Sequence, residues 1–416
     1  MTEETFIERI RSAGGRGFIV GGFVRDRLRG QAAHDKDYVV TGLATEAFTA
    51  LFPEARRVGR SFPVYLLDIG GVSSEVALAR TERKQGRGYH GFAFSTSPDI
   101  SIEDDLWRRD TTINAIALEL PDETLIDPYD GKGAIRDHVI RAVSPHFLDD
   151  PVRALRAARQ AAQLEYEIAP DTVAMMRQAR QELSEEPWER VFGELEKALG
   201  ARRPSLFFRW LARAGLLDIT FPEIARLIGK TQPPAFHPEG DAYEHTLIAL
   251  DFAASLNPSL MVRFCALVHD IGKGETPPED LPHHYGHDQR GAKVLERWNE
   301  TRPLPGKWRQ AARLVITQHM RQATLKKPRK IVELLLSIHK SPLSIGDFRD
   351  VIRSDRGDRG GLPTFLERGE ELIAAMLSVR GQDAPPNLSG EEIGIWLLAE
   401  RARVLHRLLA EDPPPS

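Results

Sequence analysis

The sequence is poor in cysteine, since Cys265 is the only one among 416 residues. A single thiol cannot form a disulfide within the chain, which excludes the disulfide-rich secreted class. The sequence also lacks an apolar run long enough to span a bilayer, and its first residues lack the basic, apolar and small-residue order of a secretory leader. We therefore predict a cytoplasmic protein that does not act in a membrane.

An excess of positive charge is also missing, because the formal net charge is −4. Binding of nucleic acid by the charge of the whole molecule is thus excluded, and any such binding needs local basic patches. The candidates are a helical series, Arg153, Arg156 and Arg159, and a predicted loop with Arg80, Arg83, Lys84 and Arg87. For each patch, an ordinary solvated surface is at least an equal alternative.

The length exceeds what one hydrophobic core usually organises, so several units are expected. Short apolar runs typical of strands fill the first third, at 18–20, 38–40, 64–69, 76–79 and 113–120. After Ser144 the apolar residues recur with helical periodicity, and prolines and glycines interrupt this pattern at 230–240. We predict an α/β head, a mixed sheet with helices, followed by all-α segments. The predicted boundaries are 1–140 for the head, 141–230 for a neck and body, 231–330 for a histidine-rich domain and 331–416 for a helical tail that completes it.

Two aspartates at the start of a predicted strand are the first candidates for chemistry. In an extended segment Asp35 and Asp37 project from the same face, so their carboxylates lie close together and repel each other. A magnesium ion held between them would remove this repulsion. Two solvated aspartates on an edge strand are the alternative. Glu75, in a neighbouring predicted strand, either completes the cluster or is an ordinary exposed glutamate.

Gly21 and Gly22 stand between a predicted strand and a stretch of helical character at 23–28. Glycines in this position let backbone amides approach a phosphate, and the helix dipole favours the anion. A tight turn is the commoner meaning of such a pair. Together with Asp35 and Asp37, however, the pair is typical of nucleotidyl transfer by two metal ions.

A series of motifs resembles, in order and spacing, those of the class II tRNA nucleotidyltransferases, the CCA-adding enzymes of bacteria and eukaryotes. The motifs are Gly21-Gly22-Phe23-Val24-Arg25-Asp26, His34-Asp35-Lys36-Asp37-Tyr38, Trp107-Arg108-Arg109-Asp110, Asp127-Pro128-Tyr129-Asp130-Gly131 and Leu148-Asp149-Asp150-Pro151-Val152-Arg153. The resemblance implies a polymerase β-like head in which Asp35 and Asp37 are catalytic and hold Mg²⁺. It also implies a nucleotide site formed by Gly22, Arg25, Arg109, Asp150, Arg153 and Arg156. Bacterial poly(A) polymerases share the series, so it does not settle the product.

Asp150 and Arg153 match the family residues that choose the incoming base. Cytosine and adenine both present an amino donor beside a ring-nitrogen acceptor, whereas uracil and guanine present a carbonyl beside a ring N–H. A carboxylate and a guanidinium group therefore pair with the first two bases and leave polar groups unpaired with the others. An aspartate before a proline is also typical of a helix start, and the two interpretations are compatible. Asp149 departs from the family, which usually has glutamate there.

The glycine-rich and charged segment 80–91 is predicted to be a mobile basic loop. Complete CCA-adding enzymes need a flexible loop at the equivalent place to switch to adenine, and enzymes that add only CC lack it. Its presence argues against a CC-only enzyme. An enzyme that adds only the terminal A, or a poly(A) polymerase with a further hydrolase domain, is the alternative.

Seven histidines crowd the segment 237–319. His269 and Asp270 end an apolar helical run, where imidazole and carboxylate donors with open positions suit a hydrolytic transition metal or magnesium. A hydrogen-bonded core histidine beside an N-capping aspartate is the alternative. His319 is doubtful as a ligand, because Met320 follows it where an aspartate would be expected.

The series of histidines and aspartates from His245 to Asp355 resembles that of the HD phosphohydrolases, and the segment 267–279 closely resembles the subgroup of CCA-adding enzymes that carries such a domain. The resemblance implies 2′,3′-cyclic phosphodiesterase, 2′-nucleotidase and phosphatase activities that depend on Ni²⁺, Mn²⁺ or Mg²⁺. The ligands it implies are His245, His269, Asp270, His284, His287 and Asp355.

The whole sequence thus favours an enzyme that adds C, C and A to tRNA from CTP and ATP without a template. As a monomer or homodimer it would bind the acceptor arm and elbow of tRNA. The second hypothesis is an HD phosphohydrolase whose head has decayed to an RNA-binding module. Intact Asp35, Asp37 and Arg109 argue against such decay.

Overall fold

The computed structural model describes residues 1–33, 35–58, 64–84, 92–235, 237–357 and 361–411. His34 of the predicted motif lies outside these residues. The chain divides into two compact units, the first with residues 1–194 and 209–220 and the second with 195–208 and 221–416. Among the described helices, none is both long and apolar enough to cross a membrane. The domain boundaries predicted at 140, 230 and 330 stay predictions.

The first unit contains a mixed sheet of seven strands in the order β3-β4-β5-β2-β1-β8-β9. Strands β2 and β5 are parallel, and the other neighbours are antiparallel. Two small sheets pair β6 with β7 and β10 with β11. The strands are β1 (Arg16–Val20), β2 (Asp37–Thr41), β3 (Arg56–Val58), β4 (Val64–Ile69), β5 (Val72–Leu78), β6 (Arg80–Lys84), β7 (Phe92–Thr96), β8 (Ala117–Leu120), β9 (Thr124–Ile126), β10 (Val139–Ile140) and β11 (Glu167–Ile168).

Helices make up most of the rest of the chain. They are α1 (Glu3–Ser12), α2 (Gly22–Leu28), α3 (Thr45–Leu51), α4 (Ile102–Trp107), α5 (Gly131–Arg136), α6 (Val152–Leu164), α7 (Pro170–Gln178), α8 (Arg180–Leu183), α9 (Trp188–Leu199), α10 (Ser205–Arg213), α11 (Leu217–Thr220), α12 (Pro222–Ala225), α13 (Ala242–Leu256), α14 (Leu260–Val268), α15 (His287–Thr301), α16 (Gly306–Gln318), α17 (Pro328–His339), α18 (Ile345–Arg356), α19 (Thr364–Glu367), α20 (Gly369–Ser378) and α21 (Glu391–Glu411). The predicted class, an α/β head followed by an all-α remainder, is confirmed apart from the two-residue strand β11.

The core of the first unit fixes the ends of the central strands. Phe18 and Val20 on β1 and Val39 on β2 are buried in one apolar cluster. In the antiparallel register Val20 lies opposite Asp37, so the end of β1 meets the start of β2. The rigid sheet therefore holds the glycines after Val20 beside the first carboxylate of β2.

Two sequence predictions in this unit need correction. The predicted strand 113–120 begins only at Ala117, because Thr112–Asn114 form a 3₁₀ turn whose Asn114 side chain accepts a hydrogen bond from Arg25. The predicted loop 80–91 is wrong at its start, where β6 pairs with β7, and residues 85–91 lie outside the described ones. Arg80 is buried and its carbonyl accepts a hydrogen bond from Arg108 Nε, so it is no exposed RNA contact.

In the second unit the described elements are helices and short turns. The segment 230–240 contains no helix or strand among its described residues, as the crowding of proline and glycine predicts. Helix α18 of the predicted tail packs against α13 and α14. The tail thus shares a core with the histidine-rich helices, around buried side chains such as Phe264, Trp298 and Phe348.

Candidate active sites

The parallel pairing of β2 with β5 places a third carboxylate beside Asp37. Asp37 lies opposite Glu75 in this register, which places Glu75 where it could join the cluster, although its side chain is exposed as in the alternative interpretation. Loss of hydration and the charge of Glu75 raise the pKa of Asp37, with a smaller contribution from Asp35 and against the effect of Arg109. Such a concentration of negative charge is unfavourable without a cation. The three carboxylates therefore fit a magnesium site.

Gly21 lies close to Arg109, so the glycine motif and the arginine motif meet in space. Its φ of +73° lies in the left-handed region that side chains rarely adopt, so the strand can turn directly into α2. A methyl group at this position would lie 3.5 Å from Arg109 Nη1 and 3.9 Å from Asp37 Oδ2. Glycine therefore leaves open the space between the guanidinium group and the carboxylate.

Arg25 and Arg109, both expected to bind the nucleotide, are held by nearby acceptors. Arg25 donates to Asp26 at 2.9 and 2.7 Å and to Asn114 Oδ1 at 2.9 Å. Arg109 Nη2 donates to Asp105 at 3.1 Å, and its Nη1 lies 3.4 Å from the carbonyl oxygen of Asn114. Asn114 thus connects the two guanidinium groups.

Asp105 is a residue of this site that the sequence interpretation missed. Its carboxylate is fully buried and accepts hydrogen bonds from Arg108 and Arg109. Burial acts to raise its pKa, but the guanidinium groups of Arg108 and Arg109 outweigh burial and lower the pKa to about 2. The spacing of four between Asp105 and Arg109 was the available signal, because it places both on one helical face.

Asp150 and Arg153 lie at the start of α6, where the helix-start prediction is confirmed. Helix α6 begins at Val152, whose amide donates to Asp150 Oδ1 at 3.1 Å. Arg153 is buried, and its Nη1 donates to the carbonyl oxygen of His146 at 2.7 Å. Asp149 accepts from His146 Nδ1 at 2.6 Å. The side chains of Asp150 and Arg153, which are proposed to read the base, are therefore fixed by local hydrogen bonds.

Arg190 is a second residue that the sequence interpretation missed. Its Nη2 lies 2.8 Å from Asp150 Oδ2, and its Nη1 lies 2.6 Å from Glu186 Oε2. Burial acts to lower the pKa of Arg190, but the two carboxylates outweigh burial and raise it. The charged guanidinium group holds the carboxylate of Asp150 from the neighbouring helix α9.

The arginines of the predicted basic patch on α6 bind partners within the first unit, and a role of this patch in binding RNA stays a prediction. Arg156 Nε donates to the buried Asp110 at 2.8 Å, and Arg159 Nε donates to Glu194 at 2.5 Å. Burial acts to raise the pKa of Asp110, but Arg156 outweighs burial and lowers it. Arg156 and Arg159 therefore form ion pairs inside the first unit. A contact of Arg156 with the nucleotide stays a prediction.

The second unit contains a connected cluster of histidines and carboxylates. Among the described residues, three groups have ligand atoms that all lie within 4.8 Å of one another. The groups are His237 with Glu239 and His245, His245 with His269 and Asp270, and Asp270 with His287 and His319. Asp270 is shared by the second and third groups, and His245 links them to the first group through its opposite ring nitrogen, Nδ1, which contacts Glu239.

Asp270 stands at the centre of this site and uses both carboxylate oxygens. Its Oδ2 lies 3.1 Å from His269 Nε2, and its Oδ1 lies 3.2 Å from His287 Nε2 and 3.3 Å from His319 Nε2. His319, doubtful from the sequence, therefore belongs to the cluster although Met320 follows it. Asp270 makes no capping hydrogen bond, so the alternative of an N-capping aspartate is excluded.

Asp355 completes the cluster from α18. Its Oδ1 lies 3.0 Å from His245 Nε2 and 3.5 Å from His269 Nε2. The predicted grouping of His245, His269, Asp270 and Asp355 is thus reproduced in space.

His284 is the one predicted ligand that the structure does not bring to the cluster. Its ring nitrogens lie 2.7 Å from Thr276 Oγ1 and 3.0 Å from the carbonyl oxygen of Thr231. Burial and the charge of Lys273 lower its pKa to about 4. Because both ring nitrogens of His284 are bound by the protein, the ring stabilises its own loop. His319 contributes an imidazole to the cluster instead of His284.

The ring nitrogens that face away from the cluster fix the remaining imidazoles. The Nδ1 atoms of His269, His287 and His319 donate to backbone carbonyl oxygens at 2.7, 2.8 and 3.0 Å, and His245 Nδ1 donates to Glu239 at 2.6 Å. Proteins commonly orient metal-binding histidines in this way. The arrangement leaves each Nε2 directed at Asp270 or Asp355.

Two buried atoms indicate that this cluster fits a cation. His269 Nε2 and Asp270 Oδ1 are buried and make no hydrogen bond in the part of the chain that is described. Burial acts to lower the pKa of His269, but Asp270 and Asp355 outweigh burial and raise it to about 10. A divalent metal would bind both atoms and neutralise the carboxylates, and the imidazole and carboxylate donors suit a transition metal.

Three families match successive parts of the sequence. Residues 17–141 match the poly A polymerase head domain, 165–228 match the probable RNA- and SrmB-binding site of polymerase A, and 242–340 match the HD domain.

Similar structures support the same fold. The Bacillus stearothermophilus CCA-adding enzyme in complex with CTP is 24% identical, with a TM-score of 0.67 over 97% of this chain and 92% of that one. A tRNA nucleotidyltransferase complexed with a primer tRNA and an incoming ATP analogue is 22% identical, with a TM-score of 0.58 over 89% of this chain and 98% of that one.

Curated relatives extend the likeness over nearly the whole sequence. The multifunctional CCA protein of Nitrosococcus oceani is 40% identical over 93% of this chain and 97% of its own length. That of Alkalilimnicola ehrlichii is 39% identical over 96% and 99%, respectively. Because this identity extends over nearly the whole length of both chains, the chain belongs to the multifunctional CCA protein family.

Proposed function

We propose that this protein adds C, C and A to the 3′ end of tRNA from CTP and ATP, releases pyrophosphate, and also hydrolyses phosphoesters at its HD domain. The observation that carries the first activity is the meeting of Asp37, Glu75 and Arg109 around Gly21. Relatives named multifunctional CCA proteins support the product. Addition of A alone or of long adenine tails is less well supported.

The residues around Gly21 have two roles in nucleotidyl transfer, which are binding the metal and contacting the nucleotide. Magnesium, when bound, lowers the pKa of the attacking 3′-hydroxyl and neutralises the triphosphate. Asp35 and Asp37, joined by Glu75, supply the carboxylates that hold it. The amide of Gly22 and the guanidinium group of Arg109 then contact the nucleotide.

Asp150 keeps the capacity to read a base despite its two partners. A carboxylate has about four lone-pair positions, and Val152 and Arg190 use one on each oxygen. A second position therefore remains for the amino group of cytosine or adenine. Arg153 donates to the ring nitrogen, so the two side chains replace a template base.

Asp150→Ala is expected to reduce the preference for CTP and ATP over UTP and GTP by roughly 10- to 100-fold, because a hydrogen bond to a charged group contributes about 1.5–3 kcal/mol. The measurement is kcat/KM for each nucleotide with tRNA lacking its terminal residues. Asp149→Ala is the matched control, since Asp149 is bonded to His146. An unchanged preference in Asp150→Ala would show that another residue selects the base.

The product itself is tested with tRNAs that end before C74, after C74 and after C75. Each is incubated with CTP or ATP, and the products are sequenced. We expect two C additions to the first, one to the second and a single A to the third. Incorporation of A alone would favour the A-only enzyme, and long adenine tails would favour a poly(A) polymerase.

The second activity uses the cluster around Asp270. His245, His269, Asp270 and Asp355 hold Ni²⁺, Mn²⁺ or Mg²⁺, and His287 and His319 add donors on the other oxygen of Asp270. Such a metal lowers the pKa of water and polarises a phosphoryl oxygen. The substrates are 2′,3′-cyclic phosphodiesters and 2′-phosphates.

The region 165–228, which matches an RNA-binding family, supports a role for the helices after the head in holding the acceptor arm and elbow of tRNA. We place the protein in the cytoplasm, where tRNA is processed, as a monomer or homodimer.

A further inference from the structure

Two exposed apolar side chains flank one half of the histidine cluster. Tyr285, two residues before His287, is 76% exposed, and Met320, directly after His319, is 54% exposed. His287 and His319 are themselves buried, and their Nε2 atoms lie 3.3 Å apart. Single exposed apolar residues are common, but two beside the same buried polar site are typical of a ligand-binding surface.

The loop that carries Tyr285 is fixed in place. Both ring nitrogens of His284 are hydrogen-bonded, at 2.7 and 3.0 Å, and Arg290 Nη1 donates to the carbonyl oxygen of Tyr285 at 2.7 Å. His287 Nδ1 donates to the carbonyl oxygen of His284 at 2.8 Å. The phenol ring is therefore presented on an ordered backbone, which lowers the entropic cost of binding a ligand.

Tyr285 already takes part in a ring stack. The rings of His283 and Tyr285 are nearly parallel, with an interplanar angle of 19° and centroids 5.5 Å apart, and both residues are exposed. Offset stacks of this kind are favourable arrangements of π systems. A nucleobase extends such a stack without regard to its sequence, because every base has a π face.

We propose that Tyr285, supported by His283, is the base-stacking platform of the HD site. The platform selects nucleotides or RNA 3′ ends that carry a 2′-phosphate or 2′,3′-cyclic phosphate over simple phosphate esters. The inference rests on the proposed phosphohydrolase activity. Only Gly286 separates Tyr285 from the cluster residue His287, so their Cα atoms lie at most about 7 Å apart, and the base of a nucleotide whose phosphate lies at the cluster would reach the phenol ring. Hydrolysis adds one water across one P–O bond and needs no other reactant.

The test compares two substrates with the full chain loaded with Ni²⁺ or Mn²⁺. One is adenosine 2′,3′-cyclic phosphate, and the other is methyl riboside 2′,3′-cyclic phosphate, which has no base. Tyr285→Ala is expected to raise KM for the adenosine substrate by roughly 10- to 100-fold, because stacking on an aromatic side chain contributes about 1–3 kcal/mol. Its kcat, and both constants for the baseless substrate, should stay unchanged.

Tyr285→Phe keeps the aromatic face and should behave as the wild type. Leu256→Ala, which truncates another exposed apolar side chain of the second unit, is the matched control. An unchanged KM in Tyr285→Ala, or an equal rise for both substrates, would overturn the proposal. If the wild type hydrolyses neither substrate, the proposed activity fails by itself. Calorimetric binding of adenosine 2′,3′-cyclic phosphorothioate then decides, and equal Kd values for wild type and Tyr285→Ala overturn the platform.

Discussion

Asp37→Asn is expected to slow nucleotide addition to tRNA by roughly a thousandfold or more, since carboxylates that hold catalytic metals contribute several kcal/mol and each 1.4 kcal/mol is about tenfold in rate. Asp37 stands opposite Glu75, and loss of hydration together with the charge of Glu75 raises its pKa, so a bound cation would stabilise the charged carboxylate. An amide in its place keeps the volume but removes a charged ligand. The rate is measured as incorporation of labelled CTP and ATP into tRNA lacking its terminal residues.

The control for this variant is Asp122→Asn, which makes the same change at an exposed turn. It should leave incorporation unchanged. Hydrolysis at the HD domain should survive in both variants, which shows that the chain is folded. Near-normal incorporation by Asp37→Asn would mean that the metal is held elsewhere.

Asp270→Asn is expected to remove the metal of the second unit and, with it, phosphoester hydrolysis, while CCA addition continues. Asp270 contacts His269 with one oxygen and both His287 and His319 with the other. Bound metal per chain, measured by elemental analysis after dialysis, should fall at least about tenfold, because loss of a ligand exceeds the 10- to 100-fold effect of an outer residue.

Stability must be followed in the same variant. Lys273 Nζ lies 2.6 Å from Asp270, and loss of a buried charged partner lowers the free energy of unfolding by about 3–5 kcal/mol. Asp355→Asn provides a second ligand variant, in which the ion pair of Asp270 with Lys273 is kept, because Asp355 contacts His245 and His269. Asp280→Asn, at an exposed position, is the control. Full metal content in both ligand variants would contradict the proposed site.

The sequence was most informative where chemistry depends on neighbouring residues. The alternation of an extended strand predicted Asp35 and Asp37 as a pair, and Gly21 was predicted as a turn. The sequence left the partnership of Asp37 with Glu75 as one of two alternatives, because it depends on which strands are parallel neighbours. That pairing is a property of the sheet order and not of local pattern.

The arginines of α6 show a second limit. Their helical spacing was visible, but a spacing does not tell which face of a helix is buried. Arg156 and Arg159 face Asp110 and Glu194, which lie far away in sequence. The pattern that suggested RNA binding therefore belongs to ion pairs inside the first unit.

The sequence predicted His284 as a ligand, whereas the structure places His319 in the cluster, and the difference has a local cause. His284 and His287 are three residues apart, which on a continuous helix would place them on one face. Gly286, with a φ of +68°, precedes the helix, so α15 begins only at His287 and His284 belongs to the loop. The imidazole of His284 is therefore directed by the loop and not by the helix.

Asp355 lies beyond residues 242–340, which match the HD family, yet it contacts two of the histidines. The proposed hydrolytic site therefore depends on a residue outside the part of the chain that matches the HD family. A frameshift or premature stop between 340 and 355 would spare every residue of the polymerase head and still deprive the second site of a ligand. A lineage that no longer needed hydrolysis could thus lose it by shortening its gene, with the CCA-adding residues untouched.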